Sequence, residues 1–102
     1  PMFVCNEEGL CILANIALCE LFGAQEREIR GFGWMNFIHK DDREAAQKDW
    51  ETAIRTGAED MKTSYRIVHG ESRQVMEVIY HSVIARDDKR QVIIAVGKVV
   101  EK

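Results

Sequence analysis

The residues with the clearest chemical potential stand in one short stretch, IHKDDRE, at positions 38–44. An imidazole and three carboxylates within this stretch could bind a metal ion or transfer protons. However, the stretch holds no second His or Cys at a metal-ligand spacing, and Asp41 followed by Glu44 is the pattern of a helix start. We therefore predict that the carboxylates of Asp41 and Asp42 cap a helix and that no metal binds here. Capping leaves the role of His39 unexplained.

The cysteines are a second group of reactive side chains. The chain has three, Cys5, Cys11 and Cys19, all within its first fifth. They form no CxxC spacing and have no His nearby, which argues against a zinc site. Their odd number argues against a framework of disulfides. We predict buried, reduced thiols.

The common catalytic motifs are missing from the sequence. It has no nucleophile elbow, no phosphate-binding glycine loop and no HExxH motif. Three serines, Ser64, Ser72 and Ser82, lie on or beside predicted strands without an evident base. We therefore predict no catalytic residue and no enzymatic activity in this chain.

Charge and length restrict the partners and the organisation. The net charge is −3, and the 14 Lys and Arg residues are scattered, whereas nucleic acids and anionic membranes bind clustered basic residues. No apolar run approaches the roughly 18 residues of a membrane span. We expect a cytoplasmic domain without nucleic-acid or membrane contact. At 102 residues, we expect a single domain over 1–102, taken from a longer protein.

The first half of the chain combines strands and helices. Two short apolar runs, 2–5 and 10–14, are joined by NEEG and predict a hairpin. A short helix is predicted between a capping Asn15 and a terminating Gly23. The longer helix is predicted to begin at Asp41 or Asp42 and to end at Thr56, just before a glycine.

The second half alternates with a period of two, which is typical of strands. We predict strands at 61–69, 72–85 and 91–100, the last two joined by the charged turn RDDKR. Strands on both sides of a helical segment indicate an α+β domain with the helices over one face of an antiparallel sheet.

The last two strands carry apolar residues on consecutive positions. A sheet with one solvated face would alternate there, so we expect another copy of the chain, or a flanking helix, to cover the outer face. The homodimer contacts predicted for this face are Val78, Ile79, Tyr80, Ile93 and Ala95.

Four segments, taken in order, resemble the PAS family of sensory and dimerisation domains. They are NEEGLCILANIALCELFG, WMNFIHKDDREAAQKDWETAIRTGA, YRIVHGESRQVMEV and QVIIAVGKVVE. The resemblance implies a five-stranded antiparallel sheet with short helices and one longer helix packed on one face. Departures from the family pattern include Lys40 in place of a proline, His69 in place of a turn aspartate, and no glycine in RDDKR.

The resemblance also bears on cofactors. A haem-binding relative would carry a His in the long helix as axial ligand, and residues 44–56 contain none. A flavin photoreceptor relative would carry a reactive cysteine in the segment that corresponds to 34–39, which has none. We therefore predict no haem and no flavin, and leave open an unknown small ligand.

A generic ligand pocket would lie between the inner sheet face and the short helices. Tyrosine hydroxyls, His81 or Arg66 could supply its polar contacts. The alternative is that these side chains fill the core themselves. The candidate lining residues are Trp34, Phe37, Ile38, Trp50, Ile54, Tyr65, Tyr80 and His81.

Together these points lead to one expected function and two alternatives. We expect a signal-transduction domain that regulates an attached output domain, a histidine kinase or a diguanylate cyclase, by homodimerisation with or without a ligand. The first alternative is a ligand sensor with a small-molecule pocket. The second, disfavoured, is a small α+β enzyme of the cone-shaped isomerase type, for which Glu77 is the sole candidate carboxylate on an inward strand position.

Overall fold

Five strands form one antiparallel sheet in the computed structural model, which describes residues 1–102. The elements are β1 (Met2–Asn6), β2 (Cys11–Ala14), α1 (Ile16–Phe22), α2 (Glu26–Ile29), α3 (Arg43–Thr56), β3 (Asp60–Val68), β4 (Val75–Arg86) and β5 (Val92–Glu101). Two 3₁₀ helices, Gly33–Phe37 and Lys40–Asp42, precede α3. The strand order is β2-β1-β5-β4-β3, and the helices cover one face. The predicted α+β fold is confirmed.

Local capping sets the ends of the helices as predicted. The side chain of Asn15 accepts hydrogen bonds from the backbone N–H groups of Leu18 and Met2, both at 2.9 Å, and thereby ties the start of α1 to β1. Gly23 and Gly57 end α1 and α3 in the left-handed region, with φ of 65° and 76°. A side chain would be strained at both positions.

The core lies between the inner sheet face and the helices. Side chains point alternately inward and outward along β4 and β5, so that every second residue is buried. Burial of each large apolar side chain contributes about 1.5–3 kcal/mol. The largest fully buried side chains are Leu18, Phe22, Ile29, Ile38, Ile67, Val78 and Val99.

The predicted outer-face contacts mix the two faces of the sheet. Val78, Tyr80 and Ala95 point inward and are 0%, 6% and 0% exposed, so the prediction is wrong for these three. Ile79 points outward, and Ile93, which a bulge leaves without a partner on β4, is 52% exposed. The consecutive apolar residues therefore belong to two separate surfaces, the core and an outer stripe.

The start of the long helix also differs from the prediction. Asp42 stands at the N-cap position of α3, but its carboxylate forms no hydrogen bond with the helix, and neither does that of Asp41. Instead, Nδ1 of His39 accepts a hydrogen bond from the backbone N–H of Asp41 at 3.2 Å and caps the 3₁₀ turn. The prediction that the carboxylates of Asp41 and Asp42 cap the helix is wrong: α3 has no side-chain cap, and His39 caps the 3₁₀ turn that precedes it.

Membrane insertion through a helix finds no support, because no helix combines the length and apolar character that crossing a bilayer requires.

Candidate functional site

The acidic cluster before α3 is used to hold the fold together. The carboxylate of Asp42 accepts hydrogen bonds from the backbone N–H of Arg66 at 2.8 Å, from its Nε at 3.0 Å and from its Nη2 at 2.7 Å. The backbone N–H of His39 donates to the carbonyl of Arg66 at 2.8 Å, so the segment before α3 is attached to β3 twice. The hydrogen bonds from Arg66 lower the pKa of Asp42 to about 2. With its oxygens occupied in this way, Asp42 is unsuited to metal binding or proton transfer.

An internal cavity of about 50 Å³ lies between the inner sheet face and the helices. The volume has room for about three to five water-sized groups, since one such group needs about 10–15 Å³. Twelve of the fourteen lining residues are hydrophobic. The full set is Phe3, Cys5, Gly9, Cys11, Leu18, Phe22, Ile29, Trp34, Ala46, Trp50, Met61, Tyr65, Tyr80 and Ser82.

Two hydrogen-bonding groups at the cavity have no partner within the protein. These are the indole Nε1 of Trp34 and the hydroxyl of Tyr80, both buried. Tyr65, whose ring meets that of Tyr80 edge-on with centroids 5.5 Å apart, instead donates its hydroxyl to Asp49 at 2.7 Å. Burial raises the pKa of Tyr80, so it remains a neutral hydroxyl at physiological pH. A buried donor without a partner costs about 1–3 kcal/mol, which a bound acceptor would recover.

Two thiols, Cys5 on β1 and Cys11 on β2, also line the cavity. They are 6% and 4% exposed and stand opposite each other in the strand register. The neighbouring thiol of Cys5 lowers the pKa of Cys11 to about 7, and the Cys11 thiol, together with burial, raises the pKa of Cys5. Sγ of Cys11 also donates a hydrogen bond to the carbonyl of Leu13 at 3.4 Å. The prediction of buried thiols holds for these two, whereas Cys19 is only partly buried and does not line the cavity.

The structure brings only part of the predicted pocket together. Four predicted residues line the cavity: Trp34, Trp50, Tyr65 and Tyr80. The other four lie elsewhere. Phe37 stacks on Phe22 with ring centroids 5.6 Å apart, and Ile38 is buried in the core opposite Ile67. Ile54 is only partly buried on α3, and His81 faces outward near Asp60. Arg66, considered for a polar contact, is bound to Asp42.

The sequence-based pocket missed residues from the first and fourth strands. Phe3 and Cys5 point inward on β1, and Ser82 does so on β4, two positions after the predicted Tyr80. The period of two was visible in the sequence. The sequence did not show which of the two alternating sets of side chains points inward, because this depends on how the strands pair.

The cavity is too small for haem or a flavin, because pockets for ligands of drug size or larger have about 300–1,000 Å³. None of the three histidines lines it, so no imidazole is available as an axial ligand. No three metal-binding side chains come together anywhere in the chain. The absence of haem, flavin and metal nonetheless stays a prediction.

The isomerase alternative loses its candidate carboxylate. Glu77 lies on the outer face of β4, is exposed, and its carboxylate is 3.3 Å from Nζ of Lys102. It therefore has no access to the cavity.

Comparison with known proteins gives one family. The model of the family described as PAS fold matches residues 12–99. No curated protein matches the sequence significantly.

Solved structures agree with this match at low sequence identity. The N-terminal domain of a diguanylate cyclase with PAS/PAC sensor from Marinobacter aquaeolei has a TM-score of 0.85 at 17% identity, covering 98% of this chain and 92% of that one. A LOV protein from Rhodobacter sphaeroides has a TM-score of 0.81 at 16% identity, covering 98% and 58%. A PAS domain from a two-component sensor histidine kinase has a TM-score of 0.73 at 16% identity, covering 99% and 83%. At such identities these likenesses establish the fold alone.

Proposed function

The chain belongs to the PAS fold family, and on that premise we propose that it is a sensory domain whose cavity binds a small, mostly apolar molecule carrying a hydrogen-bond acceptor. Binding would regulate an attached output domain. The diguanylate cyclase and histidine kinase sensors among the structural relatives support an output of that type.

The observation that carries this proposal is the pair of unpartnered donors at the cavity, Trp34 Nε1 and the Tyr80 hydroxyl. Buried polar groups in native proteins are nearly always hydrogen-bonded, so two buried donors without a partner in residues that line one cavity are evidence for a bound acceptor. A carbonyl or ether oxygen would satisfy them, and the surrounding apolar wall would bind the rest of the molecule. The cavity volume limits that molecule to about three to five non-hydrogen atoms.

A route from the cavity to the output follows from the sheet. Cavity-lining residues lie on β1 and β4, the two strands that flank β5. A ligand that separates these walls by a fraction of an ångström would change the hydrogen bonds on both sides of β5. Such a ligand acts as a signal only if it binds one arrangement of the sheet more tightly than the other.

Paired probes of matched size test the proposal. The domain is titrated with cyclobutanone and with cyclopentane, which have equal numbers of non-hydrogen atoms, while the Trp34 indole N–H resonance is followed by NMR. We expect the ketone to shift this resonance and to bind about tenfold more tightly, because a hydrogen bond is worth about 1–1.5 kcal/mol. Native mass spectrometry of the freshly purified domain checks for a retained small molecule.

Two tyrosine variants provide the matched control. Tyr80→Phe should lose the preference for the ketone and should leave the free domain as stable as before or more stable, because it removes an unpaired hydroxyl. Tyr65→Phe should destabilise the domain, since it breaks the hydrogen bond to Asp49, and should keep the preference. Equal binding of the two probes by the wild type would refute the proposal.

A second candidate function is homodimerisation through the outer sheet face. Ile79 pairs with Val100, and Val83 with Val96, so that two apolar pairs of β4 and β5 point outward on either side of the polar pair His81 and Lys98. Val83, Val96 and Val100 are 58%, 37% and 41% exposed. Sedimentation equilibrium of Val83→Asp should give a monomer where the wild type gives a dimer. Ile16→Asp, at an even more exposed apolar position on α1, is the control and should leave the dimer intact.

A further inference from the structure

The cavity wall contains a pair of thiols in a geometry suited to a disulfide. Cys5 and Cys11 are direct partners across β1 and β2, next to a bulge. The backbone N–H and C=O of Cys11 both bond to Gly31, at 2.9 and 2.8 Å, and therefore not to β1. Cys5 and Cys11 thus form a non-hydrogen-bonded pair, the class in which Cα atoms approach to about 4.5 Å. That separation falls within the range of natural disulfides.

Access to the pair runs through the cavity. Gly9, Trp34 and Trp50 line the cavity and also line a groove on the protein surface, so a single layer of residues separates the thiols from solvent. A diatomic-sized oxidant fits a cavity of about 50 Å³ easily. The neighbouring thiol of Cys5 favours the thiolate of Cys11 and brings its pKa to about 7, so that a large fraction is ionised at neutral pH.

We propose that Cys5 and Cys11 are a redox site, at which hydrogen peroxide or another small hydroperoxide produces a reversible intramolecular disulfide. Redox sensitivity of this kind is independent of whether the cavity binds an organic ligand. It adds a second input to the same domain.

The reaction balances in two steps. The Cys11 thiolate forms an S–O bond with the peroxide as the O–O bond breaks, and the released hydroxide takes up a proton to become water. The sulfur of Cys5 then gives up its proton and forms the S–S bond with Cys11 as the S–O bond breaks, releasing a second water. The peroxide gains two electrons, and the two thiols lose them.

The disulfide would join the edge strand β2 covalently to β1. Cys5 is also the register partner of Ala95 on β5, so the oxidised pair lies one strand away from the last strand of the sheet. Formation of the S–S bond would also move both sulfur atoms within the cavity wall and thereby change the shape of the cavity.

Peptide mapping tests the site directly. The fully reduced domain is treated with an equimolar amount of hydrogen peroxide, alkylated with N-ethylmaleimide under denaturing conditions and analysed by mass spectrometry. We expect Cys5 and Cys11 to escape alkylation together, linked in one disulfide, while Cys19 is alkylated. Dithiothreitol should restore both thiols. The rate should rise with pH through about 7 and level off above about 8, following ionisation of Cys11.

Single substitutions separate the roles of the three thiols. In Cys5→Ser, oxidation should stop at a sulfenic acid on Cys11, which dimedone traps. Cys19→Ser should form the disulfide at the wild-type rate. The proposal fails if Cys19 is oxidised as fast as Cys11, or if the product links two chains. Because the wild-type peptide map alone distinguishes these outcomes, the test does not depend on a variant that folds.

Discussion

The ion pair between Asp42 and Arg66 leads to a prediction about stability that differs from the prediction for a carboxylate that caps a helix. We consider Asp42→Asn, because the amide oxygen can still accept the backbone N–H of Arg66 and only the charge is lost. Asp41→Asn is the matched control, since Asp41 is the neighbouring carboxylate, is 64% exposed and makes no such contact.

The expected magnitude follows from the lowered pKa. A decrease of the pKa of Asp42 from an ordinary value of 3.8 to about 2 corresponds to between about 2 and 3 kcal/mol at neutral pH before solvent screening. The Arg66 side chain is 40% exposed, so solvent screens part of this attraction, and we expect Asp42→Asn to cost about 1.5 kcal/mol. For a domain of this size the melting temperature should fall by about 6–12 °C. Asp41→Asn should change the free energy of unfolding by less than about 0.5 kcal/mol.

The pH dependence has a definite sign. A carboxylate whose pKa is lowered in the folded state stabilises the protein above its unfolded pKa, and this stabilisation is lost as the pH falls through the folded pKa. The difference between wild type and Asp42→Asn should therefore be constant from pH 7 to about pH 5. It should then shrink between about pH 4 and pH 2, where the carboxyl of Asp42 becomes protonated.

Urea unfolding monitored by tryptophan fluorescence at pH 7, 5 and 3 measures these differences. A double-mutant cycle with Arg66→Gln should return a coupling free energy of about 1–1.5 kcal/mol. Equal losses in Asp41→Asn and Asp42→Asn would indicate a general effect of charge at the helix start and would refute the specific contact. A difference that persists undiminished at pH 2.5 would refute it as well.

Four further substitutions test three other features of the fold. Arg73 is exposed, and its backbone adopts the left-handed conformation with φ of 63°. Arg73→Gly should therefore raise the free energy of unfolding, measured by urea titration, by about 0.5 kcal/mol. A lower free energy of unfolding would show that the backbone of Arg73 is not strained. Arg86 donates through Nη2 to the backbone carbonyls of Ala53 and Ala58 near the end of α3, both at 3.0 Å. Arg86→Met should therefore lower the free energy of unfolding by about 2 kcal/mol, measured by thermal unfolding, and an unchanged Tm would contradict this role. Gly33→Ala would place Cβ against the carbonyl oxygen of Glu28 and should lower the free energy of unfolding by more than about 2 kcal/mol. At Gly31 a Cβ meets open space and only the positive φ of 65° is unfavourable, so Gly31→Ala should cost about 1 kcal/mol. The reverse order of the two losses would refute the packing argument.

The departures from the family pattern show how a local role can be filled by another residue type. His69 stands where an acidic residue was expected, and its Nδ1 accepts the backbone N–H groups of Ser72 at 3.1 Å and Glu71 at 3.3 Å, as a carboxylate would. The turn RDDKR lacks glycine, and Arg90 takes the left-handed position with φ of 67°. Asp87 supports this turn by accepting the backbone N–H groups of its neighbours. The sequence pattern predicted the turns correctly, but not the residues that close them.

The cavity was predictable in part. Trp34, Trp50, Tyr65 and Tyr80, which the sequence analysis grouped together, all line this cavity, because aromatic residues on the inner sheet face and on the overlying helices meet in the core of an α+β fold. The thiols were not, since nothing in the spacing of Cys5 and Cys11 indicates that a bulge puts them opposite each other.

The amino-acid sequence by itself determined the order and type of the elements and the ends of the helices. These depend on interactions over a few residues, such as Asn15 bonding to the N–H of Leu18 and the glycines that follow α1 and α3. Only the tertiary structure decided which apolar residues face the core and where a side chain finds its partner. The carboxylate of Asp42 bypasses the adjacent helix for Arg66, which lies 24 residues further along the chain. Such choices depend on strand register and packing, which no local pattern contains.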